Sequence, residues 1–204
     1  MSGDTHAAFG AALSLGTATM MPSIIPGSGV ESLVMGTLFA ITGSLFADVD
    51  IKGSKANKAL GLLGVVGGIF SITLLLASMS SKAIKSVFHA LSPVTILFII
   101  ILLALASWGS TRPHREATHS VVYCIVTSVC VAFSFSFIYG IWFAIGYASH
   151  ILIDLLNTKN ENLAWPMGGK FCLGLCSASG IANRVLKYVF ICISILMFCY
   201  CAVR

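Results

Sequence analysis

Apolar stretches follow one another along almost the whole chain, and only short polar segments separate them. Charged residues make up 9% of the 204 residues, whereas soluble domains carry about 25%. The mean hydropathy is +0.97. Several stretches approach the roughly 20 residues that a helix needs to cross the apolar part of a bilayer. The sequence therefore predicts an integral membrane protein.

The apolar stretches predict seven helices, and the chain is long enough for six or seven spans with short loops. We expect an all-α fold, a polytopic membrane helical bundle of about seven transmembrane helices, in a single domain, residues 1–204. The segment 158–184 predicts a short hairpin or a course along the membrane interface. The predicted helices cover residues 6–21, 32–47, 59–78, 91–108, 119–139, 141–157 and 185–203.

Basic residues are distributed unevenly between the two sides that seven spans create. One side receives the N-terminus and the loops at 48–58, 109–118 and 158–184, and it holds all the lysines and arginines but three. The three on the other side are Lys82, Lys85 and Arg204. Because basic residues concentrate in cytoplasmic loops, we predict a cytoplasmic N-terminus and an external C-terminus. This topology requires both of the short early helices to span.

Other features of the composition limit the partners. The net charge of +5 is modest, and no basic stripe with interleaved aromatic residues occurs, so we do not expect nucleic acid to bind. Most cysteines lie in apolar stretches, where they are small hydrophobic residues. Cys172 and Cys176 form a CxxxC pair in a predicted loop, which is a weak metal signal.

The stretch 146–156, GYASHILIDLL, holds His150 and Asp154 within an apolar segment. In a helix this spacing places both side chains on one face, one turn apart. A carboxylate in such a segment costs roughly several kcal/mol unless something neutralises it. We therefore expect a cationic partner for Asp154.

The predicted topology brings further polar residues to the same cytoplasmic face. His6 begins the first helix, two aspartates close the second, and two histidines lie between the fourth and the fifth. Only His89 falls on the other side. The candidate ligands are His6, Asp48, Asp50, His114, His119, His150 and Asp154.

Neutral imidazole and carboxylate together suit zinc, manganese or iron. Seven candidates exceed the four ligands of one tetrahedral zinc ion. Two ions about 3.5–4 Å apart that share an aspartate would use them all, as in many phosphoesterases. We expect one or two divalent ions, zinc first and manganese or iron as alternatives, and their charge would neutralise Asp154.

Each candidate also has a plainer interpretation. Asp48 and Asp50 are suited to helix capping or to pairing with nearby lysines. His114 is compatible with a solvated loop, and His150 with Asp154 as a buried polar pair. Their joint placement at one face favours a metal site, because ionisable groups in membrane segments are generally functional.

Five polar elements occur in a fixed order. They are Thr5-His6, Asp48-Val49-Asp50, His114-Arg115-x-x-Thr118-His119-Ser120, Gly146-Tyr147-x-Ser149-His150-x-x-x-Asp154 and Trp165-Pro166. This order resembles the YdjM-like family of bacterial inner-membrane proteins, described as membrane-bound metal-dependent hydrolases. The resemblance runs from residue 5 to about 187, and HRxxTHS and SHxxxD are its specific elements. It implies a distant relation to zinc-dependent phospholipase C, an all-helical phosphoesterase with several metal ions.

The sequence departs from this family at two points. Ala47 stands where members typically have proline before the first aspartate, and we expect little effect because proline would only shape the turn. Members also tend to carry an acid after the Trp-Pro element, where this chain offers Asn183. If that acid is a ligand or a base in the family, the chemistry of this protein is altered.

The leading hypothesis is a hydrolase at the cytoplasmic face of the bacterial inner membrane. It would act on a phosphoester, either a small molecule or a lipid-linked one, through metal-activated water. We predict catalytic roles for Asp50, as a base on that water, and for Arg115, as a contact for an anionic substrate. Membrane lipids are the expected surroundings.

A non-enzymatic membrane protein is the alternative. A metal or proton transporter would use the same His and Asp residues as a path, but these residues gather at one face rather than continuing across the membrane. A structural or regulatory protein would use the metal only as a staple, with a saturated coordination shell.

Overall fold

The computed structural model describes residues 1–21, 29–62, 92–175, 177 and 180–203. These residues contain no β-strand, only an isolated antiparallel bridge between Glu161 and Phe171, so the all-α prediction is confirmed for them. The helices are α1 (Gly3–Met20), α2 (Val30–Phe46), α3 (Pro93–Gly109), α4 (Val121–Ser134), α5 (Phe137–Leu155) and α6 (Ile181–Val203), with short 3₁₀ helices at Ala47–Asp50 and Ala117–His119.

Some predictions fall outside the described residues. Residues 55–62 are helical, but most of the predicted helix 59–78 lies beyond them. His89 and Cys176 are likewise outside the described part of the chain.

Serine caps set the helix starts. Side chains of Ser2, Ser92, Ser120 and Ser136 each accept a hydrogen bond from the backbone N–H three residues later, which satisfies a donor that the helix leaves free. The cap at Ser136 corrects one prediction. The apolar stretch 119–139 predicts a single helix, but α4 ends at Ser134 and α5 begins at Phe137 because Ser136 starts a new helix.

Helix α5 is the centre of the bundle and packs against α1, α2 and α4. Its Trp142, Phe143 and Tyr147 are completely buried. At Gly146 the backbone of α2 comes so close that an added Cβ would lie 1.9 Å from the carbonyl oxygen of Ala40. This close contact holds the end of α2 beside the end of α5, where the polar residues lie.

Within the described part of the chain, three helices are long and apolar enough to cross a membrane: Val30–Asp50, Phe137–Leu155 and Ile181–Val203. Helices α3 and α4 are apolar but shorter, and α1 is not among the three. Helix α6 packs against α1 and buries none of its residues completely. Apolar side chains thus cover the outside of the bundle, as a lipid environment requires.

Candidate metal centre

Four segments of the described chain converge at one end of the bundle. They are the first turn of α1, the 3₁₀ helix after α2, the loop and 3₁₀ helix before α4, and the last turns of α5. All the predicted metal ligands lie there, and only His114 is exposed. We call this set the polar cluster: His6, Asp48, Asp50, His114, His119, His150 and Asp154.

Two buried histidines form the middle of the polar cluster. Nε2 of His119 lies 3.2 Å from Nε2 of His150. Nδ1 of His150 donates to the backbone carbonyl of Ser44 over 2.6 Å, so its Nε2 directs a lone pair into the cluster. Two nitrogen ligands of a tetrahedral zinc ion lie about 3.3 Å apart, given Zn–N distances of about 2.0–2.1 Å. The spacing of the two nitrogens therefore fits a shared cation.

Asp48 lies beside both histidines. Its Oδ1 is 3.8 Å from Nε2 of His119 and 3.6 Å from Nε2 of His150. Three overlapping groups have ligand atoms within 4.8 Å of one another, close enough to hold a metal ion. The groups are His6–Asp48–His150, Asp48–His114–His119 and His119–His150–Asp154. Asp48, His119 and His150 each belong to two groups, which suits two neighbouring ions as well as one.

Asp50 does not belong to these groups and is instead oriented by hydrogen bonds. The hydroxyl of Thr118 donates to Oδ2 of Asp50 over 2.6 Å. Nε2 of His114 accepts from Nε of Arg115 over 3.4 Å, so Nδ1 of His114 carries a hydrogen and donates to Oδ1 of Asp50 over 3.1 Å. Both oxygens of Asp50 therefore have partners.

Asp154 is surrounded by positive or titratable groups. Its Oδ2 lies 3.0 Å from Nη2 of Arg115, and its Oδ1 pairs with the Met1 amine and lies 3.2 Å from Nε2 of His6. The ring of His6 stacks on that of His150, with 3.7 Å between the centroids. Asp154 was expected to have a cationic partner because it lies in an apolar segment, and the side chain of Arg115 is such a partner.

Arg115 adopts an unusual backbone conformation, with φ of 68°, which is uncommon for a residue other than glycine. Such strained positions are often found at functional sites. Nη1 of Arg115 donates to the carbonyl of Lys159 over 2.7 Å, and the carbonyl of Arg115 accepts from the N–H of Asn162 over 3.1 Å. These contacts hold the guanidinium against Asp154.

Glu161 is a further acid beside the polar cluster that our sequence prediction missed. Its side chain is completely buried, and Oε1 lies 3.9 Å from Nη1 of Arg115. Burial, and then the negative charge of Asp154, raise the pKa of Glu161 to about 9. The stretch TKNEN predicts an exposed loop. The one available signal is that Glu161 is the only acid between residues 158 and 184.

The donors of this region fit a metal centre better than a closed hydrogen-bond network. Nδ1 of His6 and both side-chain oxygens of Glu161 are buried and make no hydrogen bond with any described residue. Buried polar groups normally have partners. Imidazole nitrogens and carboxylate oxygens are ligands for zinc, manganese and iron, so a cation would supply the missing partner.

The sequence profile of the family described as YdjM inner membrane protein matches residues 1–204, the whole chain. The chain belongs to the YdjM inner membrane protein family. The predicted resemblance is therefore confirmed, and the family together with the apolar helices supports a membrane location. No curated protein and no solved structure matches the chain.

The two departures from the YdjM motifs now have positions in the fold. Ala47 is buried and begins the 3₁₀ helix that carries both aspartates, so the segment turns there without proline. The side chain of Asn183 accepts from the N–H of Ser2 over 3.4 Å. Asn183 thus contacts the N-terminal segment of this YdjM-family protein at the same end of the bundle.

Proposed function

We propose that this YdjM-family protein is a membrane-bound metal-dependent hydrolase. The observation that carries the proposal is the set of three overlapping His and Asp groups with ligand atoms within 4.8 Å. One or two divalent ions, zinc or else manganese or iron, would be held there by the polar cluster. A bound ion would lower the pKa of a water molecule toward neutrality and polarise a phosphoryl oxygen.

Arg115 would hold the anionic part of the substrate. A planar guanidinium can bond two oxygens of a phosphate, and Arg115 is positioned between Asp154 and the loop that follows α5. The cluster lies at one end of a bundle with an apolar exterior. A phosphoester of a lipid or lipid-linked molecule therefore suits the site, with a small phosphoester as the other substrate class. From the distribution of basic residues we place the site at the cytoplasmic face.

Asp50 would act as the base. Its Oδ1 would take a proton from the attacking water, and Nδ1 of His114 lies 3.1 Å from that oxygen. The side chain of His114 is 36% exposed, so it connects the buried carboxylate with solvent. Thr118 keeps the other oxygen of Asp50 in place.

Elemental analysis of the detergent-purified protein tests the proposal, with a His150→Ala, Asp154→Ala double variant beside it. We expect one to two equivalents of zinc, manganese or iron in the wild type and a loss of metal from the variant. The wild type should hydrolyse p-nitrophenyl phosphate or phosphatidylglycerol in mixed micelles, and the variant should not. Absence of metal from wild-type protein that has been offered metal after chelator-free purification would contradict the proposal.

Transport of the metal is the competing function, and one assay separates the two. A transporter needs polar groups that continue across the membrane, whereas the predicted ligands meet at one end of the bundle. Liposomes containing the protein should therefore take up no more zinc or manganese than empty liposomes. Protein-dependent uptake that the double variant abolishes would favour transport over hydrolysis.

A further inference from the structure

Glu161 is an acidic residue whose side chain is fully buried and has no hydrogen-bond partner in the described chain. Its side chain has no exposed surface, and neither oxygen makes a hydrogen bond with a described residue. The nearest ion-pair partner, Nη1 of Arg115, is 3.9 Å from Oε1 and already donates to the carbonyl of Lys159. A buried carboxyl group without a hydrogen bond is costly, and a metal ion that replaces its proton would supply the missing partner.

The backbone around Glu161 is held from two sides. Glu161 and Phe171 exchange hydrogen bonds of 2.8 and 2.9 Å between their N–H and carbonyl groups. The carbonyl of Leu163 accepts from the N–H of Val121, at the start of α4. With the bond from Asn162 to Arg115, these contacts tie the segment to the loop that carries the histidines. The inward position of Glu161 is thus built by the fold.

The charges around the site leave room for a divalent cation. Four buried carboxylates lie together, and in the described chain their ion-pair partners are Arg115, the Met1 amine and histidines. Arg115 is shared between Asp154 at 3.0 Å and Glu161 at 3.9 Å. If all four carboxyl groups are ionised, Arg115 and the Met1 amine leave two negative charges, which a divalent ion would balance. The carboxylates are Asp48, Asp50, Asp154 and Glu161.

We propose that Glu161 is a metal ligand of this centre, on the side where Asp154 and Arg115 lie. The inference rests on the proposed metal centre and extends it to a second ion position, which Glu161 and Asp154 share. Carboxylate oxygen is a normal ligand for zinc and manganese. Glu161 lies before Trp165-Pro166 in the sequence. Asn183, which lies after that element where family members tend to carry an acid, contacts Ser2 instead.

Metal titration of the full-length protein in detergent tests this assignment. Protein stripped with a chelator is reloaded with Mn²⁺, and bound metal is measured after removal of the excess. We expect two equivalents in the wild type. Glu161→Gln should lose one of them or bind it at least about tenfold more weakly, since even outer partners of metal ligands change affinity about 10–100-fold. Glu31→Gln makes the same change in the exposed first turn of α2 and should bind as the wild type does.

The outcomes distinguish this inference from the proposed function. A Glu161→Gln protein with wild-type stoichiometry and affinity would overturn the ligand assignment and leave the metal centre standing. A wild-type protein that binds no metal would overturn both.

A second measurement uses the wild-type protein and does not depend on how the variant folds. The chain has only three glutamates, Glu31, Glu116 and Glu161, so ¹³C labelling of the glutamate carboxyl group isolates few infrared bands. We expect metal loading to change the separation between the symmetric and antisymmetric stretches of one labelled carboxylate, and Glu31→Gln and Glu116→Gln proteins should retain that change. Labelled bands that do not respond to metal would refute the assignment.

Discussion

Thr118 shows at the scale of single residues how the chain orients a carboxylate of its site. The side chain is completely buried, and its hydroxyl donates to Oδ2 of Asp50 over 2.6 Å. The phenolic hydroxyl of Tyr147 in turn donates to the backbone carbonyl of Thr118. Thr118 supplies no ligand atom to the three metal groups, but its hydroxyl fixes the position of Asp50 beside them.

Thr118→Val should weaken metal binding without unfolding the protein. The substitution keeps the shape of the side chain but removes the hydroxyl, which also lies 3.1 Å from Nδ1 of the candidate ligand His119, and loss of such an outer partner typically costs about 10–100-fold in affinity. Competition with a chromogenic chelator measures this change. Thr127→Val is the matched control, because the hydroxyl of Thr127 is equally buried but bonds only to carbonyls of its own helix. Equal affinities in the two variants would contradict the role of Thr118.

The spacing of residues in the sequence predicts the site residues that share one helix, but it does not predict a site residue that a loop brings in. The four-residue spacing of His150 and Asp154 is a property of one helix, so it can be read from the sequence and α5 reproduces it. Glu161 lies in a loop whose course depends on hydrogen bonds to Phe171 and on the contact of Asn162 with Arg115. No local pattern encodes such partners, so a polar stretch predicts an exposed side chain.

The contact between α2 and α5 is the element-scale feature that assembles the site. Helix α2 leads into the 3₁₀ helix with Asp48 and Asp50, and α5 carries His150 and Asp154. The two backbones approach closely because glycine is present at the crossing, where a Cβ on Gly146 would overlap the carbonyl of Ala40. The apolar stretches predicted the helices themselves. They did not predict that Ser136 separates α4 from α5, because the apolar stretch continues through that position.

Gly146→Ala should destabilise the bundle and reduce its metal content. The added methyl group must push α2 and α5 apart, and overpacking of this kind costs about 1–3 kcal/mol. Thermal unfolding in detergent should show a lower midpoint. Gly16→Ala is the control, because a Cβ there meets nothing within 4 Å, and alanine should instead favour the helix by up to about 1 kcal/mol. Equal midpoints for Gly146→Ala and the wild type would contradict the close-contact argument.

On the scale of the whole molecule, the described ends of the helices bear on the predicted topology. The start of α1, the turn after α2, the loop before α4 and the end of α5 meet at the polar cluster. The start of α6 joins them, since Asn183 contacts Ser2. Helix α6 then extends from this end, and it is one of the described helices that are long and apolar enough to span a membrane. The N-terminus and the C-terminus should therefore lie on opposite faces.

Reporter fusions test this topology together with the bias of basic residues. Because most lysines and arginines fall at the polar-cluster end, that end should be cytoplasmic. Green fluorescent protein, which fluoresces only in the cytoplasm, should be bright when fused after Lys170 and dark after Arg204. Alkaline phosphatase, which folds only outside, should give the inverse pair. A bright fluorescent fusion after Arg204 would mean an even number of spans and would place both termini on one side. A dark fusion after Lys170 would instead move the polar cluster to the external face, and a substrate on the cytoplasmic side could then not reach it.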